Sequence, residues 1–409
     1  MTDYTQKIKQ NLRDAVNDRE SLNKSFEKLE QFYFKRKNQQ LNAGEDLKAK
    51  SKYLRWRFFE NMEEHLLQLD SKFSESGIKL LWSDDEETAI QLVYNILKKN
   101  NITYFTGEDD LLRKELKLDE RLQNFHFKRI APDRWHTLAH KNSQKNAPLE
   151  EAAIITSCRF VISGQGLIVL PAESPYHTLE AKMSPVRIFL VGIDRIMPDI
   201  KELNHWMRLF YQNRDFTDSP PDYNLFGGFG KENQEGTDYL IFLNNGRDKV
   251  LADKDYREAM YCIDCKACEK SCPVTTLTVN TTDNLIESPI QNIVFPLKNE
   301  FPAAYYLSHT STLSKSNTDV CPVGINIDKL MRLSRQRYKE NFGESLQQKW
   351  AYSFWERAML NPVWLEKLNT GLKYILMNML LHHVMGSGYK KMSPAPKSFR
   401  QLYKEKNKS

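Results

Sequence analysis

No part of this chain is apolar for long. The N-terminus, MTDYTQKIKQNLRD, alternates charged and polar residues without the hydrophobic centre of a secretory signal, which points to the cytoplasm. The most apolar segment, LKYILMNMLLHHVM at residues 372–385, carries Lys373, Asn378, His382 and His383. It falls short of the roughly 20 residues a membrane span needs. A buried or partner-facing helix fits it better than a transmembrane segment, with peripheral membrane contact left open. Charge of one sign is lacking too. The net charge of +6 arises from 59 basic and 53 acidic residues scattered along the chain, which argues against a nucleic-acid footprint. Nor does the sequence show a long-period repeat, and there is no proline from Tyr4 to Lys72.

What is present suits a globular protein: 409 residues, 40% hydrophobic and 27% charged, enough for about two to three domains. Apolar residues at three- and four-residue steps, among them Leu54, Phe58, Phe59, Met62 and Leu66, predict amphipathic helices over residues 1–76. From Gly77 the pattern changes. GIKLLWS and NITYFTG read as strands around a helix at residues 86–99, making a β-α-β unit. Three more β-type runs follow, AAIITSC, RFVISGQGLIVL and PVRIFLVG, then a helix at 199–211 and the strand DYLIFLNNGR. ADKDYREAMYC reads as a helix leading to Cys262, and the chain beyond Cys321 as helical to about Met385. The expected organisation is an N-terminal helical region (1–76), an α/β domain (77–252), a cysteine module (253–340) and a helical C-terminal extension (341–409).

Four of the six cysteines stand in one run, CIDCKACEKSCP, at residues 262–273. Structural disulfides are rare in the cytosol. Zinc favours one CxxC paired with a distant second pair, whereas this run has the C-x2-C-x2-C-x3-C-P spacing of bacterial ferredoxins. Three thiolates two residues apart wrap three corners of a 4Fe-4S cube, and the fourth corner is filled from a distant Cys-Pro. Cys321-Pro322 supplies one. The assignment is one 4Fe-4S cluster on Cys262, Cys265, Cys268 and Cys321; the variant in which Cys272 ligates and Cys321 is spare stays open. Stepping back from Cys321 by the same spacing meets Asn317, Ser314 and Ser311, so a second cluster is expected to be lost. Cys158, alone in a strand, reads as a core thiol.

The residues LNNGRDKVLADKDYREAMYCIDCKACEKSCPV, DVCPVGINIDKL, SPAPKSFRQLY, LKAKSKYLRWRFFENMEEHL and EAAIITSCRFVISGQGLIVL resemble the iron-sulfur B-subunit family of the bacterial three-part L-lactate oxidation system. The resemblance implies an α/β lactate-utilization (LUD) domain of sugar-isomerase and CoA-transferase-like fold, followed by a ferredoxin-type 4Fe-4S module. It further implies a subunit that is not catalytic alone, passing electrons beside a cysteine-rich subunit and a second LUD-domain subunit as L-lactate becomes pyruvate. The chain departs from the family at Ser314 and Asn317, where cysteine is usual. A non-redox assembly or regulatory subunit, with the cluster or zinc purely structural, is the alternative.

Other candidates are weaker. His136 and His140 could share a metal if helical, but lack the glutamate a zinc hydrolase needs and read as a solvated pair. GGFG at Gly227–Gly230 reads as a loop without the phosphate-cradle ending. SGQG at Ser163–Gly166 reads as a bulge or hairpin turn before a ligand loop. Arg247 is expected to brace two domains, and His382 and His383 to end a helix.

Overall fold

The structure is a computed structural model. It describes residues 2–40, 45–107, 110–132, 134, 151–171, 184–212, 223–228, 236–278, 288–343, 369–385, 391–393, 395–397 and 399–406, with scattered positions from 349 to 361. The candidates His136 and His140 lie outside them, as do Phe229 and Gly230.

Among the described residues ten strands form two sheets: β1 (Lys79–Ser83), β2 (Tyr104–Thr106), β3 (Lys128–Arg129), β4 (Ala152–Ser157), β5 (Phe160–Ile162), β6 (Leu167–Pro171), β7 (Val186–Gly192), β8 (Ile196–Met197), β9 (Tyr223–Phe226) and β10 (Thr237–Leu243). The larger sheet is wholly parallel, in the order β1-β10-β7-β4-β2-β3. All seven residues of β7 are buried, as a parallel strand covered on both faces requires.

Because side chains alternate along a strand, the sheet feeds two cores. Ile188, Leu190, Ile241 and Leu243 pack on one side against Ala89, Val93 and Leu97 of the helix Glu86–Lys99. Phe189, Val191, Leu240 and Phe242 pack on the other against Phe58, Leu69 and Phe73 of the N-terminal helices. The helix Glu86–Lys99 starts where Asp85 accepts the Thr88 N–H at 2.7 Å, a side-chain cap. The one charged residue inside β7, Arg187, is cross-strand neighbour to Asp238 of β10 and ion-pairs with it in the core.

The smaller sheet, β8-β5-β6-β9, leans on the cysteine module. Phe160, Ile162 and Val169 share a core with Trp206, Phe210, Tyr256, Ile263, Ile290, Leu330 and Met331. SGQG is the β5–β6 hairpin turn: β5 and β6 pair antiparallel and Gly166 has φ +63°. The expected β-α-β unit differs in the fold, since β10, β7 and β4 lie between β1 and β2. The expected helix into Cys262 is also broken. A helix runs Arg247–Ala252, Asp253 bonds the Asp255 N–H in a tight turn, and a 3-10 turn at Arg257–Tyr261 delivers the chain to Cys262.

The helix Glu45–Glu60 ties the two halves together. Arg55 donates to the carbonyls of Asp194 (2.6 Å) and Met260 (2.9 Å), Lys52 pairs with Glu258 at 2.6 Å, and Lys48 reaches the Asp319 carbonyl at 2.5 Å. Among the described residues no helix is long and apolar enough to cross a membrane.

Candidate functional site

Between Cys262 and the helix Ala267–Ser271 the backbone turns twice through the left-handed region, at Asp264 (φ +58°) and Lys266 (φ +62°). These turns replace a regular helix with a loop whose amides face inward. Cys262, Cys265 and Cys268 line one pocket, and Cys321, arriving from the far side of the module, lines the same pocket. Cys272 is buried but is not among its lining residues. Ile290, Val323, Ile325 and Ile327 complete the wall. None of these cysteines is in a disulfide.

Backbone N–H groups point at the sulfurs. The Asp264 amide reaches the Cys262 Sγ at 3.3 Å, and those of Ala267 and Ile290 are directed at Cys265 and Cys268. Cys321 faces three, from Val323, Gly324 and Ile325. Burial pushes the Cys262 thiol up to about 11 and raises those of Cys265, Cys268 and Cys321 as well; Arg195 and the amides act in the opposite direction. A group that binds here must therefore displace protons, and these cations and amides favour the resulting thiolates. Among the described residues no three His, Cys, Asp or Glu side chains are close enough to share one metal ion. The thiols edge a pocket instead of meeting at a point.

A buried ionic chain connects this loop to the carboxyl ends of the large sheet. Lys298 and Arg247 both hold Glu115, at 2.5 and 2.9 Å. Arg247 continues to Asp194 at 2.8 Å, and Arg195 closes on the other Asp194 oxygen at 3.0 Å. Arg55, on the Asp194 and Met260 carbonyls, brings the chain to the residues just before Cys262. Burial alone would raise Glu115, but Arg247 and Lys298 outweigh it and hold the carboxyl at about 2. Asp194 is likewise lowered against burial by Arg195, Arg247 and Arg55. Desolvation brings Arg55 down to about 10. In open parallel sheets the crevice beyond the strand carboxyl ends is the usual ligand site. Here Arg247, Glu115, Asp194 and Lys298 occupy that edge.

Gly246 makes the joint possible. Its φ is +75°, and a Cβ there would run into the Lys298 carbonyl. Asn245, also left-handed at φ +42°, donates to Glu115 at 2.6 Å. Asn245-Gly246 turns β10 into the helix that carries Arg247.

Arg247 sits where a domain brace would, but its partners Glu115, Asp194 and Lys298 carried no local pattern in the sequence. Cys158 is a buried thiol just after β4, raised by desolvation and then by Asp110. Ser311 and Ser314 precede the helix Ser316–Val320 and Asn317 lies within it; none of the three lines the cysteine pocket. His382 and His383 lie in the helix Thr370–Met385, and Gly227 and Gly228 follow β9.

Comparison with known proteins adds the following. Residues 67–247 match the LUD domain. Over 357 residues the chain is 23% identical to lactate utilization protein B of Lysinibacillus sphaericus (strain C3-41), covering 75% of each. Over 337 residues it is 23% identical to lactate utilization protein B of Oceanobacillus iheyensis, covering 70% of each. A solved DUF162 family protein from Deinococcus radiodurans is 13% identical, with a TM-score of 0.32 over 44% of this chain and 98% of that one. The chain is thus similar to the LUD domain over residues 67–247 and, over some three quarters of its length, to lactate utilization protein B.

Proposed function

We propose that this chain is the iron-sulfur electron-transfer subunit of a lactate-utilization type oxidoreductase complex. The observation that carries the proposal is the convergence of Cys262, Cys265, Cys268 and Cys321, from two separate segments, on one pocket with backbone amides aimed at the sulfurs. Four thiolates around a volume suit a cubane, which takes one to each iron corner. A single tetrahedral zinc would need them at about 2.3 Å from one point. When bound, such a cluster accepts and returns one electron at a time.

The chain's own residues do the rest. The four cysteines hold the group, and the amides of Asp264, Ala267, Ile290, Val323, Gly324 and Ile325 stabilise charge on the sulfurs. Ile290, Val323, Ile325 and Ile327 keep water from the inner wall. Cys262, half-buried where the other three are buried, marks the side from which a partner gains access. Oxidation of L-lactate to pyruvate releases two electrons and two protons; this chain relays the electrons, and the partner subunits, one cysteine-rich and one with a second LUD domain, carry the substrate chemistry.

Anaerobic purification tests this. The expected product is brown, holds about four irons per chain, bleaches with dithionite and then gives a reduced-cluster EPR signal. A colourless chain with one zinc removes the electron-transfer role and leaves the metal as a staple.

A further inference from the structure

A second loop repeats the backbone of the first while changing its side chains. Asp264 and Lys266 have φ of +58° and +62°; at the same spacing downstream, Leu313 and Lys315 have +51° and +62°. Lys266 precedes the helix Ala267–Ser271, and Lys315 precedes Ser316–Val320. The Lys270 and Cys272 N–H groups donate to the carbonyls of Lys266 and Glu269, and those of Asp319 and Cys321 donate to Lys315 and Thr318. Each helix ends in Cys-Pro, at Cys272-Pro273 and Cys321-Pro322. Even the sulfur contact has a counterpart: the Asp264 amide reaches Cys262 Sγ at 3.3 Å, and the Leu313 amide reaches Ser311 Oγ at 3.2 Å.

Ser311, Ser314 and Asn317 thus stand in the backbone places of Cys262, Cys265 and Cys268. Two neutral hydroxyls and a carboxamide do not fit an iron-sulfur cube, which is held by thiolates. These side chains bond to their protein neighbours. The Ser271 hydroxyl donates to Asn317 Oδ1 at 3.1 Å in the interior, and Ser314 lies between the hydroxyls of Thr312 (3.2 Å) and Ser316 (2.9 Å). Arg335 ties down the loop, donating to the carbonyls of Ser311 at 2.6 Å and Ser308 at 3.1 Å.

We propose that the second lobe is a cluster cradle converted into a hydrogen-bonded brace. It carries no cofactor, holds Cys321 in register for the first pocket, and retains Cys272 as the buried remnant of its own ligand set. The proposal rests on the iron-sulfur reading above. It goes beyond that reading in assigning the second loop a preserved backbone and a new structural role.

The test is to rebuild the site. After anaerobic reconstitution with ferrous iron and sulfide, wild type is expected to hold about four irons per chain and the S311C/S314C/N317C variant about eight. Adding C272S to that variant is expected to return it to about four. A folded triple variant with wild-type iron overturns the proposal, as does a wild type already holding the doubled amount. A single C272S variant does not depend on the folding of the triple: it is expected to keep the iron and EPR signal of wild type, and losing them overturns the proposal. Iron absent from wild type and every variant refutes the iron-sulfur reading and this proposal together, whereas wild-type iron in the folded triple variant sinks this proposal alone.

Discussion

Replacing Glu115 by glutamine tests whether the ionic chain fastens the α/β domain to the cysteine module. The substitution keeps the shape of the side chain and removes the charge that pairs with Arg247 and Lys298. A carboxyl held at about 2 instead of its ordinary 4.5 contributes about 3 kcal/mol at neutral pH. That agrees with the range of roughly 3–5 kcal/mol for breaking one side of a buried pair. Because the folded value is depressed, the contribution is fully present above pH 4.5 and is lost as pH falls toward 2. Denaturant unfolding at pH 7 is therefore expected to show E115Q about 3 kcal/mol less stable than wild type. The difference should persist unchanged at pH 6. Adding Lys298→Met should recover part of the loss, because it removes a cation that the first change leaves unpaired. A difference below about 0.5 kcal/mol, the size of an ordinary surface substitution, would refute the reasoning.

Arg195 interacts with Cys262 and, like Arg55, places positive charge beside the pocket. An R195Q variant is expected to keep its iron while its reduction potential falls by an amount on the order of tens of millivolts, read by dye-mediated redox titration; an unchanged or higher potential counts against this. Gly246→Ala combines a left-handed backbone with a clash on the Lys298 carbonyl, so a loss of roughly 1–3 kcal/mol is expected in thermal or denaturant melts. Removing the metal with a chelator should raise amide exchange at residues 262–278 and 288–325 while β4, β7 and β10 stay protected; equal deprotection of those strands would contradict a metal held by the cysteine module.

The strands were largely legible because buried parallel strands read as continuous apolar runs. AAIITS, VRIFLVG and TDYLIFL are β4, β7 and β10. Their order was not. β1 and β2 are separated by β10, β7 and β4 because lateral position is decided by which faces the helices cover, not by the intervening sequence. The cysteine spacing led to four residues that line one pocket, three of them because short intervals keep them on one loop. Glu115, Asp194 and Lys298 had no such signature. They come from three distant segments, and only the folded chain brings them to Arg247. The degenerate second run was legible, since stepping back from Cys321 at the same spacing reaches Asn317, Ser314 and Ser311, but the backbone it shares with the first was not. What it conserves is the sign of φ at two positions and a pattern of amide bonds, with little common identity beyond Cys-Pro.

The ionic chain and the duplicated loop do one thing between them. Three of the pocket's cysteines are on one short loop, which can fix their spacing locally, but Cys321 must be placed by the rest of the fold. On one side the loop before Cys262 is anchored by Arg55 to the Asp194 segment, and from there through Arg247 to the large sheet. On the other, the segment leading to Cys321 is fixed by Arg335 on the Ser311 carbonyl, the Ser271–Asn317 bond, and Lys48 on the Asp319 carbonyl. Both anchorages reach the helix Glu45–Glu60, which supplies Arg55 to one and Lys48 to the other. A thiol set split between two segments needs both held against one rigid element, so loosening that helix should displace Cys321 from the pocket before it displaces the three thiols that share a loop.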